Sequence, residues 1–130
     1  MTSRPAAVRL LLIVAASAVV VGCTAPTQSP TRLDISTVQV ICGGAVPPPG
    51  EPPCRPATPA SRTIEVRSGR TVVAQGTSGI DGELLLDVPA GALVVTHPGA
   101  QPWESCDSPS VTAVAGRTVA VTQTCILNVP

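Results

Sequence analysis

Few residues of this 130-residue chain combine the types and spacing that chemistry requires. His97 is the only histidine, and zinc or catalytic centres need several ligands or partners together. It follows the strand-like run ALVVT, where it reads as a group closing the end of a strand rather than a base or a ligand. Asp81, Glu83 and Asp87 suggest calcium by density of carboxylates. Asp-Gly is expected at a turn for backbone reasons, however, and alternation along ELLLDV turns Glu83 and Asp87 to solvent. The serines and threonines between Ser105 and Thr118 contain no G-x-S-x-G, so a serine hydrolase has no support. Trp103, in HPGAQPWESCD, is a lone aromatic in a Pro/Gly loop. It is either an exposed contact residue or a plug over one end of the domain. The expectation is no enzyme, no cofactor and no metal site.

The five cysteines say more. Disulfides consume thiols in pairs, so one cysteine has another task. Cys23 ends a stretch with a distinct layout. Residues 1–9 carry Arg4 and Arg9 and no acid, and Leu10 to Val21 is an apolar run of 12 residues broken only by Ser17. A membrane-spanning helix needs about 20 apolar residues, whereas a run this short has the length of a signal-peptide core. Val20-Val21-Gly22-Cys23 resembles the bacterial lipobox. The resemblance implies a diacylglycerol on the Cys23 sulfur, cleavage before Cys23, and a location on the extracytoplasmic face of the cell membrane. Residues 1–22 are then a lipoprotein signal peptide. Residues 23–34, rich in Pro, Thr and Ser, are a flexible tether reaching at most about 35 Å.

Beyond Cys23 the chain has six arginines against eight acids, with no basic patch, so nucleic acid is not an expected partner. All eight basic residues are arginine, and Ala, Val, Pro and Gly abound, as in GC-rich bacteria such as actinobacteria. Phe and Tyr are absent. A core of Val, Leu, Ile and Ala buries less area per side chain than one with aromatics, and small extracellular domains with thin cores use disulfides.

From residue 35 to 130 the chain reads as strands. TIEVR puts Ile64 and Val66 on one face, and ELLLDV does the same for Leu84, Leu86 and Val88. Ser68-Gly69 is a hairpin signal before RTVVAQG. SVTAVAGRTVAVTQTCILNV reads as two long strands joined near Ala115-Gly116. About seven strands, scattered prolines and no helical pattern predict an all-β, antiparallel β-sandwich.

GTSGIDGELLLDVPAGALVV resembles the core of carboxypeptidase regulatory-like domains, which have a transthyretin/prealbumin-like sandwich fold. Asp81-Gly82, Leu86, Pro89, Gly91 and Val95 match its pattern. Leu84 and Leu93 stand where Phe and Tyr are usual, which keeps the inward apolar side chain and loses volume. VTAVAGRTVAV is similar to the closing hairpin of these domains. The Lys–Asn isopeptide crosslinks of some related sandwiches are impossible here, because the chain has no lysine. CGGAVPPPGEPPC and the placement of Cys106 and Cys125 are similar to a four-cysteine subset of bacterial envelope proteins. The fold implies little about function.

Four cysteines allow three pairings, and we expect Cys42–Cys54 and Cys106–Cys125. GGAVPPPGEPP cannot form a ladder, so it should lie outside the sheet as a closed loop. A two-residue turn at Ala115-Gly116 makes Cys106 face Cys125. That register sets Val111 against the alternation of Val119 and Val121, and a β-bulge near Pro109 would reconcile the two. Two functional readings follow: a lipid-anchored, non-enzymatic interaction or structural module with an envelope protein partner, or a carrier of a small apolar ligand between the sheets. A large apolar cavity would favour the carrier, and a filled core the module.

Overall fold

The computed structural model of the protein describes Gly22 and residues 28–130. Cys23, the signal-peptide region and the first part of the tether lie outside the described residues. The described chain forms nine strands and no helix: β1 (Arg32–Gly43), β2 (Thr58–Pro59), β3 (Thr63–Ser68), β4 (Thr71–Thr77), β5 (Glu83–Asp87), β6 (Gly91–Thr96), β7 (Glu104–Cys106), β8 (Ser110–Ala113) and β9 (Thr118–Val129). They make two sheets. The larger has the order β2-β1-β9-β7, with β5 also paired to β1, and the smaller has the order β4-β3-β6-β8. The β-sandwich expected from the sequence is present. β2 and β7, of two and three residues, raise the count beyond seven.

Alternation builds the core. Ile64 and Val66 on β3, Leu93 and Val95 on β6, and Leu33 and Ile35 on β1 are buried, and with Val88 and Ala113 they form one cluster. Leu84, Leu86, Val119 and Val121 pack against it. Each fully buried Leu, Ile or Val contributes about 1.5–3 kcal/mol relative to exposure.

Three expectations need correction. The sandwich is not wholly antiparallel, because β1 and β9 run parallel over their full length, from Arg32 beside Thr118 to Gly43 beside Val129. The domain begins before residue 35, within the stretch 23–34 expected to be tether. Arg32 to Asp34 belong to β1, and Leu33 is fully buried, since an apolar residue two positions before Ile35 falls on the same inward face. Thr31 is also tied down, its carbonyl accepting from Val88 N–H at 3.0 Å and its hydroxyl from Gly116 N–H at 2.9 Å.

The third correction concerns the closing hairpin. β8 pairs with β6 in the smaller sheet, while β9 lies in the larger one. β7 is the strand that pairs antiparallel with β9, with Cys106 opposite Cys125. The chain changes sheets at Ser108. Asp107 N–H still donates to Thr124 O at 2.9 Å, whereas Pro109 O accepts from Val95 N–H at 3.0 Å on the other sheet. No bulge at Pro109 is needed, because Val111 never shares a ladder with Val119 and Val121. A register shift falls instead between Val66 and Arg67, on the β3–β4 hairpin.

Candidate functional site

The parallel β1–β9 pair gives the domain a direction. Both strands start at the end where the chain enters the domain and finish at the far tip. The tip carries the proline-rich loop. Cys42 and Cys54 face each other across an isolated bridge with their sulfurs at 1.97 Å. Arg55 N–H donates to Ile41 O at 2.8 Å, so the chain re-enters the sheet edge directly after the loop. Between the two cysteines, Val46 is 93% exposed, and Pro48, Pro49, Pro52 and Pro53 are also exposed. The loop lies outside the sheet and, with Val129, borders an open cavity of about 590 Å3.

Trp103 sits at the same tip, directly before β7. Its carbonyl accepts from Asn128 N–H at 2.8 Å, and its residue is 54% exposed. The residue is thus half covered and half open at the end of the sandwich. The outer face of the larger sheet changes character along β1 and β9. Arg32, Asp34 and Ser36 line it near the tether, with Thr118 and Thr122 beside them. Val38 and Val40 follow toward the tip, and Ile126, exposed, lies beside Val40. The tip therefore offers apolar and proline surface, while the opposite end is mixed, with Leu85 beside Asp34 and Val114 also exposed.

The interior also divides. Toward the tether it is apolar, and toward the tip it is filled by polar groups that sequence reasoning did not single out. Thr37 is buried on β1. Its hydroxyl contacts Ala60 O, Ser78 Oγ at 2.7 Å and Gly82 O at 3.0 Å, tying three segments together. Gln123, its neighbour on β9, donates through Nε2 to Asp107 O at 3.1 Å, and its buried Oε1 has no partner. Arg62, just before β3, reaches across to the larger sheet. Its Nη2 donates to Gln39 Oε1 at 3.0 Å, and its Nε stands 2.8 Å from Glu104 Oε1 on β7. The Nε–H is not aligned with that oxygen, so the contact is an ion pair rather than a directed hydrogen bond. The Arg62 and Glu104 side chains are only 17% and 8% exposed.

His97 closes this cluster. Its Nδ1 lies 2.6 Å from Thr63 O, which joins the end of β6 to the start of β3, and its Nε2 faces Glu104 Oε1 at 3.8 Å. His97, Glu104 and Cys106 thus converge. In the oxidised protein Cys106 Sγ is joined to Cys125 Sγ at 1.95 Å, so the sulfur is not free to ligate. The acidic residues suggested by the sequence are not brought together. Asp81 Oδ1 accepts from Glu83 N–H at 3.1 Å, Glu83 from the Ser36 hydroxyl at 2.8 Å, and Asp87 pairs with Arg32 at 2.7 Å.

No family model matches this chain, and no curated protein does. Among solved structures it is similar to the minor pilin GBS52 of the Gram-positive pathogen Streptococcus agalactiae, with a TM-score of 0.56 and 17% sequence identity, over 79% of this chain and 46% of the pilin. The likeness is one of fold. The chain spans less than half of that pilin's length.

Proposed function

We propose that this chain is an envelope lipoprotein held by lipid on Cys23 at the extracytoplasmic membrane face, and that its sandwich is a non-enzymatic interaction or structural module. The partner is an envelope protein met at the tip. The observation that carries this reading is the shared direction of β1 and β9, which puts Trp103, Val46 and the closed proline loop at the end opposite the tether. The solved structure it resembles is a pilin, which agrees with a module that works by contact. The inward Leu84, Leu86, Leu93 and Val95 and the turn at Asp81-Gly82 support assigning the domain to the carboxypeptidase regulatory-like type. An apolar-ligand carrier has less support. The cavities of about 590, 290 and 370 Å3 are bordered by loops and strand edges, and of the buried core cluster only Leu93 lines one of them.

The test has two arms. The full chain expressed in a bacterial host should partition into detergent with lipid mass on Cys23, and Cys23→Ala should lose both. A photo-crosslinking residue at position 103 should join the chain to a discrete envelope protein, whereas one at position 118 should not. An unmodified soluble chain defeats the anchor, and equal crosslinking at both positions defeats the tip.

A further inference from the structure

We propose that the reduced chain binds one Zn2+ ion through His97, Glu104, Cys106 and Cys125. The folded geometry supplies the ligand atoms. His97 Nε2, a Glu104 oxygen and Cys106 Sγ all lie within 4.8 Å of one another. Glu104 Oε1 is 3.8 Å from His97 Nε2 and 3.7 Å from Cys106 Sγ. Ligands at about 2.0–2.3 Å from a tetrahedral zinc stand roughly 3.3–3.8 Å apart, which the two Glu104 separations already match, while the two sulfurs must part by roughly 1.8 Å. Cys125 Sγ, bonded to Cys106 Sγ in the oxidised protein, takes the fourth position once the two sulfurs part. The ligand set, two thiolates with an imidazole and a carboxylate, suits zinc.

A second observation concerns the orientation of the histidine ring. The 2.6 Å contact with Thr63 O is made by Nδ1, and a carbonyl only accepts, so Nδ1 bears a hydrogen. In the singly protonated ring Nε2 then offers a lone pair, and it faces a carboxylate oxygen. An imidazole whose other nitrogen is fixed by a backbone carbonyl is also the usual arrangement around a metal-bound histidine. Charge balances as well. One zinc, two thiolates and one carboxylate sum to −1, and the Arg62 guanidinium beside Glu104 offsets it.

The chain is synthesised with free thiols, so zinc and disulfide are alternative closures of the same seam between β7 and β9. Zinc binding releases the two thiol protons. Oxidation by a disulfide-exchange donor takes two electrons from the thiolates, joins Cys106 to Cys125, converts the donor disulfide to two thiolates and expels the ion.

The experiment uses the full chain with Cys23, Cys42 and Cys54 changed to alanine, so that Cys106 and Cys125 are the only thiols. Reduced by a phosphine without oxygen, it is titrated with Zn2+ against a chromogenic chelator and with Co2+ as a spectroscopic probe. The expected result is one ion per reduced chain and none per oxidised chain, with cobalt bands of tetrahedral intensity and thiolate charge transfer. His97→Ala and Glu104→Gln should each weaken zinc by about tenfold or more. No zinc uptake by the reduced chain overturns the proposal, as does uptake unchanged by His97→Ala. Should reduction cost the sheet its circular dichroism signal, recovery on adding Zn2+ supports the site and failure to recover overturns it.

Discussion

Thr37 and Gln123 stand side by side on the parallel strands β1 and β9, both turned inward and fully covered, at the level where the apolar core stops. Their positions look equivalent and their energetics are not. Thr37 hydrogen-bonds to groups from three segments, whereas Gln123 leaves an acceptor unpaired. Removing a partner from a buried polar group costs about 1–3 kcal/mol, whereas loss of the Gln123 amide removes an unpaired acceptor and frees only the carbonyl of Asp107, an exposed residue that water can reach. Thr37→Val should therefore destabilise by about 1–3 kcal/mol, and Gln123→Met by less than about 1 kcal/mol. Urea unfolding decides, and the reverse order would refute the account.

Gly82 and Gly69 both have positive φ, at 78° and 59°. A Cβ on Gly69 meets open space, whereas one on Gly82 collides with the Thr37 carbonyl oxygen. Gly69→Ala should cost about 1–2 kcal/mol from backbone conformation alone. Gly82→Ala should cost clearly more, because the collision is with backbone that cannot yield. Equal shifts in the denaturation midpoint would contradict the crowding at Gly82.

Arg62 and Glu104 join the two sheets through a largely desolvated ion pair. Removing one member strands the other charge, at a cost of about 3–5 kcal/mol when the pair is fully buried. Arg62→Leu should approach the lower part of that range. The double change Arg62→Leu with Glu104→Leu should recover most of the loss, since two apolar residues tolerate the site better than one lone carboxylate. A double-mutant cycle with no coupling would remove the ion pair from the description of this seam.

Peptide mapping without reduction should recover Cys42 linked to Cys54 and Cys106 linked to Cys125. Replacing the first pair by alanines should lower stability by up to about 3 kcal/mol on the loop-entropy model, since the sequence separation is 12. The second pair should cost more, because Cys125 is fully buried and its removal also leaves space in the interior. Finding Cys42 joined to Cys106 or Cys125 would require a different path for the proline loop.

The faces of β3, β5 and β6 were legible because each strand alternates, and alternation maps directly onto inside and outside. The conflict around Val111 was legible too, but its resolution was not. A change of sheet at Ser108 and a bulge at Pro109 both reverse side-chain parity, and only the partner strand tells them apart. Gln123 carried a signal that was passed over: it lies two residues from both Val121 and Cys125, so the same alternation that buries them buries it. Arg62 and Glu104 carried none. They are 42 positions apart, and an arginine or a glutamate in a polar stretch reads as solvated until the sheets close over it. His97 was read as closing a strand end, and the bond to Thr63 does that. Its approach to Glu104 depends on the sandwich bringing β6 and β7 together.

The parallel register of β1 and β9 has a mechanical consequence. The chain enters the domain at the start of β1 and leaves it at the end of β9, so a pull between those two points runs along both strands in opposite senses. The ladder from Arg32–Thr118 to Gly43–Val129 then bears the load in shear, with all its hydrogen bonds stretched together rather than opened one by one. Rupture under such loading is governed by the unfolding barrier rather than by equilibrium stability. Tension applied along this axis thus falls first on the β1–β9 ladder inside the larger sheet.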